Sequence, residues 1–128
     1  MYSLYHFETR GLGVVSKQPI LKGTYIGNYF SKSETITIHS RVIYDGWVET
    51  NPLGRYINHK QHPNLDFVMK GDVIELYANQ DIKDFKELTV DYISMIELIK
   101  LPKELVQKYN IQNFDYIEEE IEIKKTIL

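Results

Sequence analysis

Apolar and polar positions alternate in short runs through the first two thirds of the chain. YSLYHFE (2–8), LGVVS (12–16) and TYIGNYF (24–30) are rich in β-branched and aromatic residues, which predicts strands. Gly11, Gly13, Pro19 and Gly23 supply the breaks between them. TITI (35–38) and RVIY (41–44) are weaker strand candidates. Further on, LDFVM (65–69) and VIELYA (73–78) flank KGD, a hairpin turn by composition, and ELTVDY (87–92) reads as another short strand. From about residue 95 the pattern changes. In LPKELVQKYN, Pro102 stands at a first helical position and Asn110 near the end. The segment 115–124 reads as an amphipathic helix through Ile117 and Ile121, although IEIKKTI also alternates as a strand would. The sum is a β-rich α+β domain of short strands with a small helical C-terminal section.

One stretch fits neither period. GRYINHKQHPN (54–64) places an arginine, two histidines, three side-chain amides and a proline between apolar runs. Three explanations compete. His59 and His62, with His6, His39 or Asp66, could hold a metal, but Pro63 stops any helix that would present both imidazoles on one face. A polar loop is the plainer account, with Asn58 and Asn64 bonding to backbone. The third account depends on what lies elsewhere in the chain.

Composition narrows the field. At 128 residues and 43% hydrophobic content the chain suffices for one domain with a real core, and not for two. It has no cysteine, which excludes disulfides and thiolate zinc sites. The first residues lack a basic stretch followed by an apolar run, and no apolar segment nears the roughly 20 residues that span a bilayer. A soluble, intracellular protein in nucleus or cytoplasm is expected, with no membrane partner. The net charge of −3 argues against nucleic acid as a direct ligand and admits a lysine-rich partner. A monomer or homodimer both fit. Ten tyrosines suit either a β-rich core or a lined pocket.

Three motifs follow one another along the chain: TRGLGVVS (9–16), GRYINHKQHPN (54–64) and ELTVDY (87–92). Together they resemble the SET-domain protein lysine methyltransferases, which carry an early GxG, a central RFINHSCxPN-like segment and a late ELTxDY-like segment. PILKGTYIGNY and VIELYANQDIKDFKELTVDY resemble the connecting stretches. The resemblance covers about residues 8–92, within a single domain spanning 1–128 whose C-terminal section runs from about 94.

The resemblance implies several small sheets around a knot-like crossing near the C-terminus. It implies S-adenosyl-L-methionine as cofactor, held by Gly11, Leu12 and Gly13 and by Arg55, Asn58 and His59. It implies Tyr92 and Tyr29 as catalytic tyrosines, with Tyr29, Phe67 and Val90 in the lysine channel. Phe67 and Val90 fall where a tyrosine limits how many methyl groups are added. Neither is tyrosine here, so di- or trimethylation is permitted. A lysine-containing protein or peptide, a histone tail among them, is the implied substrate. The small stand-alone form resembles those carried by viruses and bacteria rather than multidomain chromatin enzymes.

The chain departs from the pattern in places. HSC is HKQ, with Lys60 and Gln61, and GEEL is FKEL (85–88). Ile93 replaces the glycine after the tyrosine, and the cysteine-rich zinc section is absent. Tyr109, Phe114 or Tyr116 would then have to close the channel. The altered segments leave a second reading: a catalytically inactive SET scaffold that binds peptides.

Overall fold

The computed structural model describes residues 1–8, 11–32 and 42–104. Two strands open the chain, β1 (Tyr2–Phe7) and β2 (Gly11–Ser16), paired antiparallel. A five-stranded sheet follows. It contains β3 (Tyr25–Lys32), β4 (Val42–Tyr44), β5 (Trp47–Glu49), β7 (Leu65–Lys70) and β8 (Val73–Ala78), in the order β4-β5-β3-β8-β7. Between β5 and β7 lie a single helical turn, α1 (Leu53–Tyr56), and the two-residue β6 (Asn58–His59). β9 (Thr89–Val90) pairs with β6 in parallel, and α2 (Tyr92–Ile99) follows directly.

Alternation explains the central sheet. In β8, Ile74, Leu76 and Ala78 face the core while Val73, Glu75 and Tyr77 lie on the more open side. Tyr29, Phe30, Trp47, Leu65, Leu88 and Val90 complete the same core cluster. A smaller cluster, Phe7 with Val15, lies under β1 and β2 against Tyr5 and Phe85. The KGD turn forms as expected, joining Lys70 to Val73 in register.

Two features differ from the sequence expectation. β5 was not foreseen. Its hairpin with β4 turns on Asp45 and Gly46, with φ of 51° and 81°. Two successive positive φ values are what a two-residue I′ turn needs, and Asp-Gly supplies them at least cost. The late strand is also shorter than ELTVDY: it ends at Val90, and Tyr92 opens a helix. Asp91 caps that helix, accepting the Ile93 N–H at 2.9 Å, and Met95 and Ile99 bury one face. The cap overrides the strand preference of the neighbouring threonine, valine and tyrosine. RVIY is strand over its described part, Val42–Tyr44, as expected, while TITI lies outside the described residues. So do the proposed helix at 115–124 and Tyr109, Phe114 and Tyr116. Helical backbone resumes at residues 103–104, just after Pro102.

No helix among the described residues is long and apolar enough to cross a membrane.

Candidate active site

The segment 85–92 lies between two others, and its backbone bonds to both. On one side the Leu88 N–H donates to Val14 O and the Ser16 N–H to Lys86 O, each at 2.8 Å. On the other side β9 pairs with β6, setting Asn58 opposite Thr89 and His59 opposite Val90. Past the end of β6, Asn64 continues the ladder with its side chain. Its Oδ1 accepts the Thr89 N–H and its Nδ2 donates to Glu87 O, both at 2.9 Å. Asn79 Nδ2 donates to the Pro63 carbonyl at 3.1 Å. This explains why the central stretch is rich in amides. Backbone groups shut between segments have little access to water, and short amides satisfy them.

Asn58 ties the first motif to the last. Its Nδ2 donates to Leu12 O at 3.1 Å and to Glu87 Oε2 at 2.7 Å. Gly13 makes room for this. A Cβ there would stand 2.6 Å from Glu87 Oε2 and 2.9 Å from Asn58 Nδ2. Gly11 differs: its φ is 78°, and nothing lies within 4 Å of where a Cβ would sit. So Gly11 faces open space, whereas the room beside Gly13 is filled by the protein itself.

His59 and Tyr92 are in direct contact. The Tyr92 N–H donates to His59 Nδ1 at 2.9 Å, and the ring centroids are 5.1 Å apart. His59 is buried, and an accepting Nδ1 leaves the neutral imidazole with its proton on Nε2. The Tyr92 hydroxyl donates to Ile57 O at 2.7 Å. His62 is exposed and stands apart from this arrangement. Among the described residues no three His, Cys, Asp or Glu side chains gather as a metal site.

Tyr29 completes the aromatic group. It is buried, stacked on Phe30 at 4.2 Å and tilted against Phe67 at 5.0 Å. Burial pushes its phenol well above the ordinary tyrosine range, and nearby Tyr92 and Glu49 push it further. Its backbone is fixed by Thr50. The Thr50 N–H donates to Tyr29 O at 3.1 Å, and Thr50 Oγ1 accepts the Gly54 N–H at 3.1 Å. Gly54 packs so closely that a Cβ would overlap Tyr29 O. Beside Phe67 opens a cleft of about 300 Å³ lined also by Leu65, Asp66, Asp91 and Leu98.

Against known families, residues 31–93 match the SET domain. The chain is similar to SET domains over that segment. Over 84 residues, 62% of its length, it is 32% identical to the potential protein lysine methyltransferase SET6 of Saccharomyces cerevisiae, of which it spans 22%. Two solved structures of KRYPTONITE resemble it in fold. One is in complex with mCHG DNA and SAH, with a TM-score of 0.52. The other is in complex with mCHH DNA, an H3(1–15) peptide and SAH, with a TM-score of 0.51. Each is 20% identical, matched over 71% of this chain and 23% of KRYPTONITE.

Around this seam the named residues fall into two groups. Leu12, Gly13, Asn58, His59 and Tyr92 form one connected set, with Tyr29 and Phe67 packed together beside it. Arg55 lies on α1, which packs against β2. Val90 is fully buried in the core opposite His59. Sequence reasoning missed Glu87 and Gly54. Gly54 opens the central motif and Glu87 the late one, but a carboxylate in a strand and a glycine in a helical turn give no local signal of partners far away in the chain.

Proposed function

We propose that this chain is a SET-domain protein and an S-adenosylmethionine-dependent protein-lysine N-methyltransferase. The observation that carries the proposal is the contact of His59 with Tyr92, which joins the central motif to the late tyrosine. The SAH in both KRYPTONITE structures supports the cofactor. The residues here fit that ligand: Gly11 borders open space, and the Asn58 amide has its NH₂ committed, so its Oδ1 is left to accept from an ammonium.

Bound S-adenosylmethionine supplies a methyl group on a positively charged sulfur. Asn58, His59 and the backbone of residues 11–13 hold its adenosine and amino-acid ends, with Arg55 close by. The Tyr92 hydroxyl oxygen would stabilise positive charge on a methyl sulfonium held there, and Tyr29 and Phe67 would wall the channel for a neutral lysine. Asp66 and Asp91 border the neighbouring cleft and favour a basic peptide. The H3 peptide in KRYPTONITE supports a histone tail as one such substrate. The DNA there is not carried over, because this chain spans only 23% of KRYPTONITE and has a net charge of −3.

Incubation with methyl-labelled S-adenosylmethionine and lysine-rich proteins tests the proposal. Label on lysine is expected. Cofactor-free peptide binding, with no calorimetric response to S-adenosylmethionine, would instead point to the inactive scaffold.

A further inference from the structure

Glu87 sits in the buried seam between β2 and the central motif, outside every role assigned so far. Only 6% of its surface is exposed, and its Oε2 is 2.7 Å from Asn58 Nδ2. The second neighbour of that nitrogen is the Leu12 carbonyl. Both neighbours are acceptors, so the carboxamide can face them only with its NH₂ group, and both N–H bonds are used. Its Oδ1 must then point the opposite way, as an acceptor. With Leu12 O alone the choice would be weaker, since one exposed bond holds an amide loosely.

We propose that Glu87 is a positioning residue that locks the Asn58 carboxamide with its oxygen turned toward the cofactor's α-ammonium. The lock needs Gly13, because a Cβ there would crowd both Glu87 Oε2 and Asn58 Nδ2. On this account the second glycine of the GxG serves the Asn58–Glu87 bond rather than direct approach of the cofactor. The orientation of the amide stands on geometry alone. Its use toward the ammonium rests on the cofactor reading above.

The test has two arms. Without ligand, NMR follows exchange of the Asn58 side-chain amide protons. Protection in the wild type, lost in Glu87→Gln, is expected, because a glutamine amide can offer a donor in place of the acceptor. Rapid exchange in the wild type would overturn the lock. With ligand, calorimetry compares S-adenosylhomocysteine with its deaminated analogue, in which hydrogen replaces the α-ammonium. Glu87→Gln should weaken S-adenosylhomocysteine by about tenfold or more, the scale of one hydrogen bond to a charged group, and leave the analogue unchanged. Gly13→Ala should give the same selective loss, and Glu87→Asp should recover part of it. Equal weakening of both ligands would mark Glu87 as merely structural and overturn the proposal. A wild type that binds neither ligand, yet keeps its protected amide, would sink the cofactor reading and with it the ammonium role, leaving the lock intact.

Discussion

The hydroxyl of Tyr92 donates to the carbonyl of Ile57 across 2.7 Å, although 35 residues separate them. The bond aims the phenol at the strand that carries Asn58 and His59. Tyr92→Phe removes it and leaves a carbonyl without that donor. A stability loss of about 1 kcal/mol is expected from urea unfolding. Methyl transfer should fall far more, by about a hundredfold, in line with the loss of an oriented dipole at a reacting centre. Equal labelling by wild type and variant would remove Tyr92 from the chemistry.

Asn64 stands in for a strand where β6 has ended. Asn64→Ala strands the Thr89 N–H and the Glu87 carbonyl together, so roughly 2–4 kcal/mol of stability should be lost. Asn64→Asp keeps an acceptor for Thr89 but sets an oxygen against the Glu87 carbonyl, and should recover only part. Urea midpoints for the two variants check the order. An alanine variant within about 0.5 kcal/mol of wild type would contradict the account.

Gly54 opens the central motif, and its importance is steric. A methyl group there meets the Tyr29 carbonyl and the Glu49 backbone, which are held by Thr50 and cannot easily yield. Gly54→Ala should cost about 1–3 kcal/mol, the usual range for overpacking, and blunt methyl transfer through displaced Tyr29. Thermal unfolding together with the labelling assay would reveal it. An unchanged melting temperature would show that the loop relaxes freely.

Much of this arrangement can be read in the sequence, for definite reasons. Strands such as β8 announce themselves by alternation, and the KGD hairpin by its turn residues. The motifs identified Asn58, His59 and Tyr92 without showing how they meet. The misses also have physical causes. β5 has only three residues, too few to show a period, and the Asp45-Gly46 pair is the one local signal that could have located it. Local propensity favours strand at Tyr92, while the Asp91 cap decides for helix. Glu87 looked like any strand glutamate. Its partner lies 29 positions away, and such pairings are set by topology rather than local pattern.

Tyr29 makes a prediction in alkali. Its phenol is raised in the folded state by burial first, then by Tyr92 and Glu49. The folded protein therefore holds this proton more tightly than the unfolded chain. The associated stability is complete below the unfolded value of about 10 and declines as pH climbs beyond it, by at most about 1.4 kcal/mol per pH unit. Tyr29→Phe should flatten that decline. Unfolding free energies between pH 8 and about 11.5 would check the slope, set against the ordinary tyrosine pKa near 10. Identical slopes in both proteins would mean that another group is responsible.

The number of methyl groups added should be set at Phe67 rather than Val90. Val90 is fully buried in the core, so a tyrosine there overpacks before it can tune a channel. Phe67 is only half-buried, lies against Tyr29 and borders the open cleft, so a hydroxyl added to its ring has room. Phe67→Tyr should hold a water near the lysine nitrogen and crowd out a second methyl. With wild type, mass spectrometry of the modified lysine is expected to show di- or trimethyl product. The variant should stop mainly at monomethyl, with a melting temperature close to wild type. Only monomethyl product from the wild-type protein would show that the channel is already narrow without that hydroxyl.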